Sequence, residues 1–143
     1  MEFLFIFPLC KRGVKGDFPM KYFVYVERKF SAAHALRGYK GKCERLHGHN
    51  WTVRVSITGK KLDKAGMIMD FTELRSMADD VLAKLDHCYI NEVPPFDKQN
   101  PTAELIAAHV FNQMKKKLKA RSGVAIHQVR VWESDTSCAI VSE

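Results

Sequence analysis

The chain has 143 residues, 46% of them hydrophobic, enough for one domain with a moderate core. No run is long and apolar enough to span a bilayer as a helix. The formal charge of +7 points to an anionic partner, but the cations gather at Lys11, Arg12, Lys15 and from Lys115 to Arg121 without interleaved aromatics, which speaks against a nucleic-acid surface.

Residues 1–19 differ from the rest. Phe3 to Leu9 is apolar, and the charges come after it, the reverse of a secretory signal. The segment reads as an extension, a start-codon artefact with Met20 as the true start, and residues 20–143 as one domain. Phe23 to Ser31 reads as a strand within the apolar segment Tyr22 to Ala33. Gly38 to Lys42 is a loop. Trp51, Val53, Val55 and Ile57 alternate with polar residues, the mark of a half-buried strand. Asp70 or Thr72 caps a helix running to about Leu85, with Leu74, Met77, Ala78, Val81, Leu82 and Leu85 as its apolar stripe. Pro94, Pro95 and Pro101 mark a loop. Thr102 opens a second helix of about eighteen residues, and Lys115, Lys116 and Lys117 suit its C-terminal dipole. Val124 to Trp132 and Cys138 to Val141 are closing strands. This order predicts an α+β fold: a four-stranded antiparallel sheet with two helices on one face. Its uncovered edges predict an oligomer.

The chemistry concentrates in Cys43-Glu44-Arg45-Leu46-His47-Gly48-His49, with His34 thirteen residues before His47. His47 and His49 are two apart, so both rings share one face of an extended segment. A hairpin would bring His34 to that face. Three imidazoles with an open position are the donor set of a catalytic zinc site. An HxH pair alone also occurs without metal; His34 and Cys43 nearby strengthen the metal reading. Cys43 is either a fourth ligand or a thiol activated by cationic neighbours. Asp86-His87 read alone suits a helix end, Thr102 an N-cap, and Glu133 a solvated strand position. The cysteines Cys10, Cys43, Cys88 and Cys138 form no CxxC pair, which fits a reducing cytoplasm.

Phe30-Ser31-Ala32-Ala33-His34, Cys43-x-x-x-His47-Gly48-His49, Leu85-Asp86-His87-x-x-x-Asn91, Pro101-Thr102-x-Glu104 and Trp132-Glu133-Ser134 occur in this order. Together they resemble the 6-pyruvoyltetrahydropterin synthase / 6-carboxytetrahydropterin synthase family from about Lys21 to the C-terminus. The resemblance implies the tunnelling fold, a hexamer of two trimers forming a barrel, and active sites between subunits. It implies Zn2+ on His34, His47 and His49, Cys43 as the catalytic thiol, and Asp86 with His87 as a proton relay. It also implies that Glu133 anchors the pterin ring and Thr102 contacts it. The implied substrate is 7,8-dihydroneopterin triphosphate, whose anionic tail would meet basic residues such as Arg54, Lys40 and Lys42.

Three residues separate Cys43 from His47, a spacing similar to the 6-carboxytetrahydropterin synthase branch of queuosine (7-deazaguanine) synthesis. Asn50 is shared with pyruvoyl-type sequences. Glu44, three residues before His47, resembles a folate branch that releases 6-hydroxymethyl-7,8-dihydropterin. Having both Cys43 and Glu44 predicts carboxy-synthase activity with a folate-type side activity. Outside the family, the alternatives are a zinc hydratase, which needs no thiol, and a basic nucleic-acid-binding module.

Overall fold

Alternation decides the sheet. The structure, a computed structural model, describes residues 20–143, so the expectation for residues 1–19 lies outside the described residues. Strands β1 (Tyr22–His34), β2 (His47–Gly59), β3 (Val124–Ser134) and β4 (Ser137–Ser142) form one antiparallel sheet in the order β1-β2-β3-β4. On β2 the odd positions Trp51, Val53, Val55 and Ile57 are fully buried, and on β3 so are Val129 and Val131. Each such side chain contributes about 1.5–3 kcal/mol relative to an exposed one.

Helices α1 (Phe71–Leu82) and α2 (Ala103–Leu118) cross between β2 and β3 and cover that face. Leu74, Ala78, Val81 and Leu82 of α1 join Ile106, Val110, Phe111 and Met114 of α2 in one core with the strands. Asp70 caps α1 by accepting from the Thr72 N–H (2.6 Å), and Thr102 caps α2 by accepting from the Leu105 N–H (3.3 Å). The helix α1 ends three residues before the expected Leu85, which stays fully buried in the turns that follow. The basic end of α2 is a solvated, paired face: Lys117 meets Asp80 at 2.9 Å, Lys115 meets Glu143, and Arg121 meets Glu73. No helix among the described residues is long and apolar enough to cross a membrane.

Two irregularities matter for the site. Residues 86–89 dock on the outer edge of β1, with Ala33 N–H donating to Cys88 O (3.1 Å) and Ala33 bridging Tyr89. The β3–β4 pairing passes from Trp132↔Cys138 to Ser134↔Ser137, so Glu133 is the extra residue of a bulge. Bulges re-aim side chains, often beside active sites.

Candidate metal centre

The β1–β2 register sets His34 opposite His47 and Ala32 opposite His49. All three rings therefore lie on the core face at one end of the sheet. Ring centroids are 4.4 Å apart for His34 and His47, 5.2 Å for His34 and His49, and 4.9 Å for His47 and His49. Trp51, fully buried and stacked on Phe30, lies 5.0 Å from His34 and 5.2 Å from His49, giving the cluster an aromatic floor.

Main-chain carbonyls orient two of the rings. His34 Nδ1 donates to Pro101 O (2.7 Å) and His47 Nδ1 donates to Arg45 O (2.7 Å). A carbonyl only accepts, so each Nδ1 carries the proton and each neutral ring keeps its lone pair on Nε2. Burial holds the His34 pKa below its ordinary value, against the Pro101 contact, and the nearby rings of His47 and His49 push the same way.

The Nε2 atoms of His34, His47 and His49 are buried without a hydrogen-bond partner. Glu133 Oε1 lies 2.9 Å from His49 Nε2 and 3.3 Å from His34 Nε2, without hydrogen-bond geometry. Buried ring nitrogens left unmatched are costly, and a metal ion would satisfy all three at once. Donors about 2.0–2.2 Å from a tetrahedral metal are spaced by about 3.3 Å, and the four donor atoms of His34, His47, His49 and Glu133 all lie within 4.8 Å of one another. The donors thus fit a divalent ion that favours imidazole. Their carbonyl-held Nδ1 groups are the outer support usual for metal-bound histidine.

The remaining sequence-predicted residues lie outside the group of four donors. Cys43 and Glu44 share the single turn Lys42–Glu44; Cys43 is half-buried and Glu44 exposed. The fourth donor of the cluster is Glu133 rather than Cys43. Thr102 follows Pro101, so the cap of α2 adjoins the carbonyl that holds His34. Asp86 and His87 pair with each other at the outer edge of β1, apart from the donor cluster: His87 Nδ1 is 2.8 Å from Asp86 Oδ1. Ser31 N–H donates to Asp86 Oδ1 (2.9 Å), and His87 N–H donates to Ser31 O (2.7 Å). The Ser31 N–H first, then the His87 ring, hold the Asp86 pKa below its ordinary value. His87 takes a left-handed backbone, φ 54°, and its side chain is 81% exposed. That conformation costs a non-glycine residue about 1–2 kcal/mol, and the bonds to Ser31 fix it. Arg54 is stacked 4.2 Å over the Tyr25 ring and bonded to Glu27 (2.6 and 2.8 Å), so Lys40 and Lys42, exposed beside Cys43, are the freer cations.

Residues outside the sequence-predicted set also build the centre. Pro101 and Arg45 act through main-chain oxygens, which no side-chain pattern announces. Trp51 was legible as a core strand residue, but not as the floor of a metal cluster.

The region 23–143 matches the family described as 6-pyruvoyl tetrahydropterin synthase. The 6-carboxy-5,6,7,8-tetrahydropterin synthase of Synechocystis is 38% identical over 122 residues, covering 81% of this chain and 89% of its own. The dihydroneopterin monophosphate aldolase of Pyrococcus furiosus is 32% identical over 116 residues, covering 81% and 93%. The structure of Caenorhabditis elegans 6-pyruvoyl tetrahydropterin synthase superposes with a TM-score of 0.76 at 25% identity, covering 87% of this chain and 96% of that one.

Proposed function

Because the chain belongs to the 6-pyruvoyl tetrahydropterin synthase family, we propose that it is a zinc-dependent 6-carboxy-5,6,7,8-tetrahydropterin synthase acting on 7,8-dihydroneopterin triphosphate. The observation that carries this reading is the trio of buried, unpartnered Nε2 atoms on His34, His47 and His49, set among the family's other motif residues. Bound there, zinc supplies Lewis acidity to the hydroxylated side chain of the substrate.

The chain's own groups do the rest. Cys43 accepts a proton from the substrate side chain as thiolate. Asp86 holds the His87 ring and stabilises its cation, so His87 passes protons. Glu133 turns from the metal donors to accept two hydrogen bonds from the amino and ring N–H groups of the pterin, and Thr102 contacts the ring. Lys40 and Lys42 meet the triphosphate. His87 lies outside its own chain's donor cluster and its ring is exposed, which supports an active site completed by a second copy in a homo-oligomer, a hexamer of two trimers. The enzyme works in the cytoplasm.

A second reading rests on Cys43 and Glu44 sharing one turn, together with similarity to a named dihydroneopterin monophosphate aldolase. Here Glu44 acts as the base that releases 6-hydroxymethyl-7,8-dihydropterin. The test is to incubate zinc-loaded protein with 7,8-dihydroneopterin triphosphate and identify products by mass. The expected product is 6-carboxy-5,6,7,8-tetrahydropterin. Hydroxymethyl product alone would replace the first reading by the second, and a 6-pyruvoyl product would place the chain in the pyruvoyl branch.

A further inference from the structure

Three consecutive residues after the ligand His34 tie it to three other segments. Asn91, 4% exposed, clasps Ala35 at both ends: Ala35 N–H donates to Asn91 Oδ1 (2.9 Å) and Asn91 Nδ2 donates to Ala35 O (2.8 Å). Leu36 N–H donates to Cys43 O (2.9 Å), fastening the turn that carries the thiol. The Arg37 guanidinium donates to three main-chain oxygens, Asn91 O (2.9 Å), Phe96 O (3.0 Å) and Gln99 O (3.3 Å). Its backbone closes a further pair with Asn100: Arg37 N–H donates to Asn100 Oδ1 (2.8 Å) and Asn100 Nδ2 donates to Arg37 O (2.9 Å).

These bonds complete a circuit. Asn100 precedes Pro101, and Pro101 O accepts from His34 Nδ1 (2.7 Å). The ligand, the segment after it and the carbonyl that sets its tautomer are thus held by one side chain and two amides. A planar guanidinium can serve three carbonyls converging from different directions, which a lysine ammonium on a flexible stem does less well.

We propose that Arg37 is a positioning residue that couples the metal centre to the Cys43 turn. It fixes Pro101 O, and hence the aim of His34 Nε2, through the 91–101 segment, and it holds residues 35–37, and hence Cys43, through the same bonds. Outer partners of metal-bound histidine are typically worth 10–100-fold in metal affinity. The proposal rests on reading His34 as a metal ligand and Cys43 as the functional thiol, but its test needs no turnover, so the two can fail separately.

The test uses metal-stripped full-length protein with Cys10, Cys88 and Cys138 replaced by serine, leaving only Cys43 to react. Co2+ affinity and its visible absorption are measured, along with the rate of Cys43 alkylation by iodoacetamide. Arg37→Ala is expected to weaken Co2+ binding by about 10-fold or more, to alter the visible band, and to change the alkylation rate severalfold. Arg37→Lys is expected to recover only part of both. Val55→Ala, a core truncation in mid-sheet, is expected to lower stability and leave both readouts alone. If Arg37→Ala matches wild type, or shifts both readouts no more than Val55→Ala does, the proposal is overturned. If Arg37→Ala does not fold, Asn100→Ala decides: a smaller change in both readouts supports the coupling, and no change overturns it. Absence of Co2+ binding by the otherwise wild-type chain overturns the metal reading and this proposal with it.

Discussion

His34 and His47 are direct partners at the last rung of the β1–β2 ladder, with ring centroids 4.4 Å apart and each Nδ1 held by a different carbonyl. Replacing any one of His34, His47 or His49 by Ala removes a donor from the cluster. Each variant is expected to lose zinc affinity by more than the roughly 10–100-fold that an outer partner is worth. Isothermal titration with zinc checks this, and a variant that retains full affinity would remove that residue from the donor set.

Cys43 lies outside the group of four donor atoms. Cys43→Ala should therefore keep zinc while lowering kcat for the carboxy product by about 10²–10⁴, the usual worth of a positioned acid or base. Glu44→Ala should leave that product unaffected and abolish any hydroxymethyl product. Zinc content by metal analysis, alongside product mass, separates loss of chemistry from loss of metal.

Asp86 has its pKa held below the ordinary value of 3.8 by the Ser31 N–H and the His87 ring. The unfolded chain therefore binds more protons than the folded one just below that value. The resulting stabilisation is complete above pH 3.8 and is lost as pH falls through the lower folded-state value. Asp86→Asn should flatten the acid limb of Tm against pH, and, on the proposed relay role, it should lower kcat. Equal acid limbs in the two proteins would show that the Ser31 contact carries no such linkage.

Thr102 caps α2 through its hydroxyl. Thr102→Ala should cost about 0.5–2 kcal/mol of stability, and Thr102→Ser should restore most of it. If Thr102 also meets the pterin, Thr102→Ala should raise KM beyond what that stability loss explains, as steady-state kinetics on the two variants would show. Equal KM values would confine Thr102 to capping.

The sheet and both helices were legible because their apolar positions keep strict periods: Trp51, Val53, Val55 and Ile57 at two, Leu74, Ala78, Val81 and Leu82 near 3.6. The strand ends were not. The apolar alternation marks only Phe23 to Ser31 and Trp51 to Ile57, whereas β1 runs to His34 and β2 begins at His47, so the inward parity of Trp51 continues through His49 and His47 as their two-residue spacing predicts. Glu133 was legible as a motif residue, but its approach to the histidines depends on a bulge that adds one residue to β3, and sequence alternation does not record it. The carbonyls of Pro101 and Arg45 and the clasp by Arg37, Asn91 and Asn100 depend on contacts between distant segments through the main chain. Asn91 and Pro101 stand in the sequence motifs, but side-chain identity does not show which main-chain groups they meet.

The proposed reaction runs on a metal held by His34, His47 and His49. The most direct measurement strips the protein of metal, adds zinc back stepwise, and follows product from 7,8-dihydroneopterin triphosphate by mass. No product is expected without zinc, then a rise that saturates at about one zinc per chain, and no rise at all for His49→Ala. Full turnover by the metal-free protein, or an undiminished rise in His49→Ala, would contradict it.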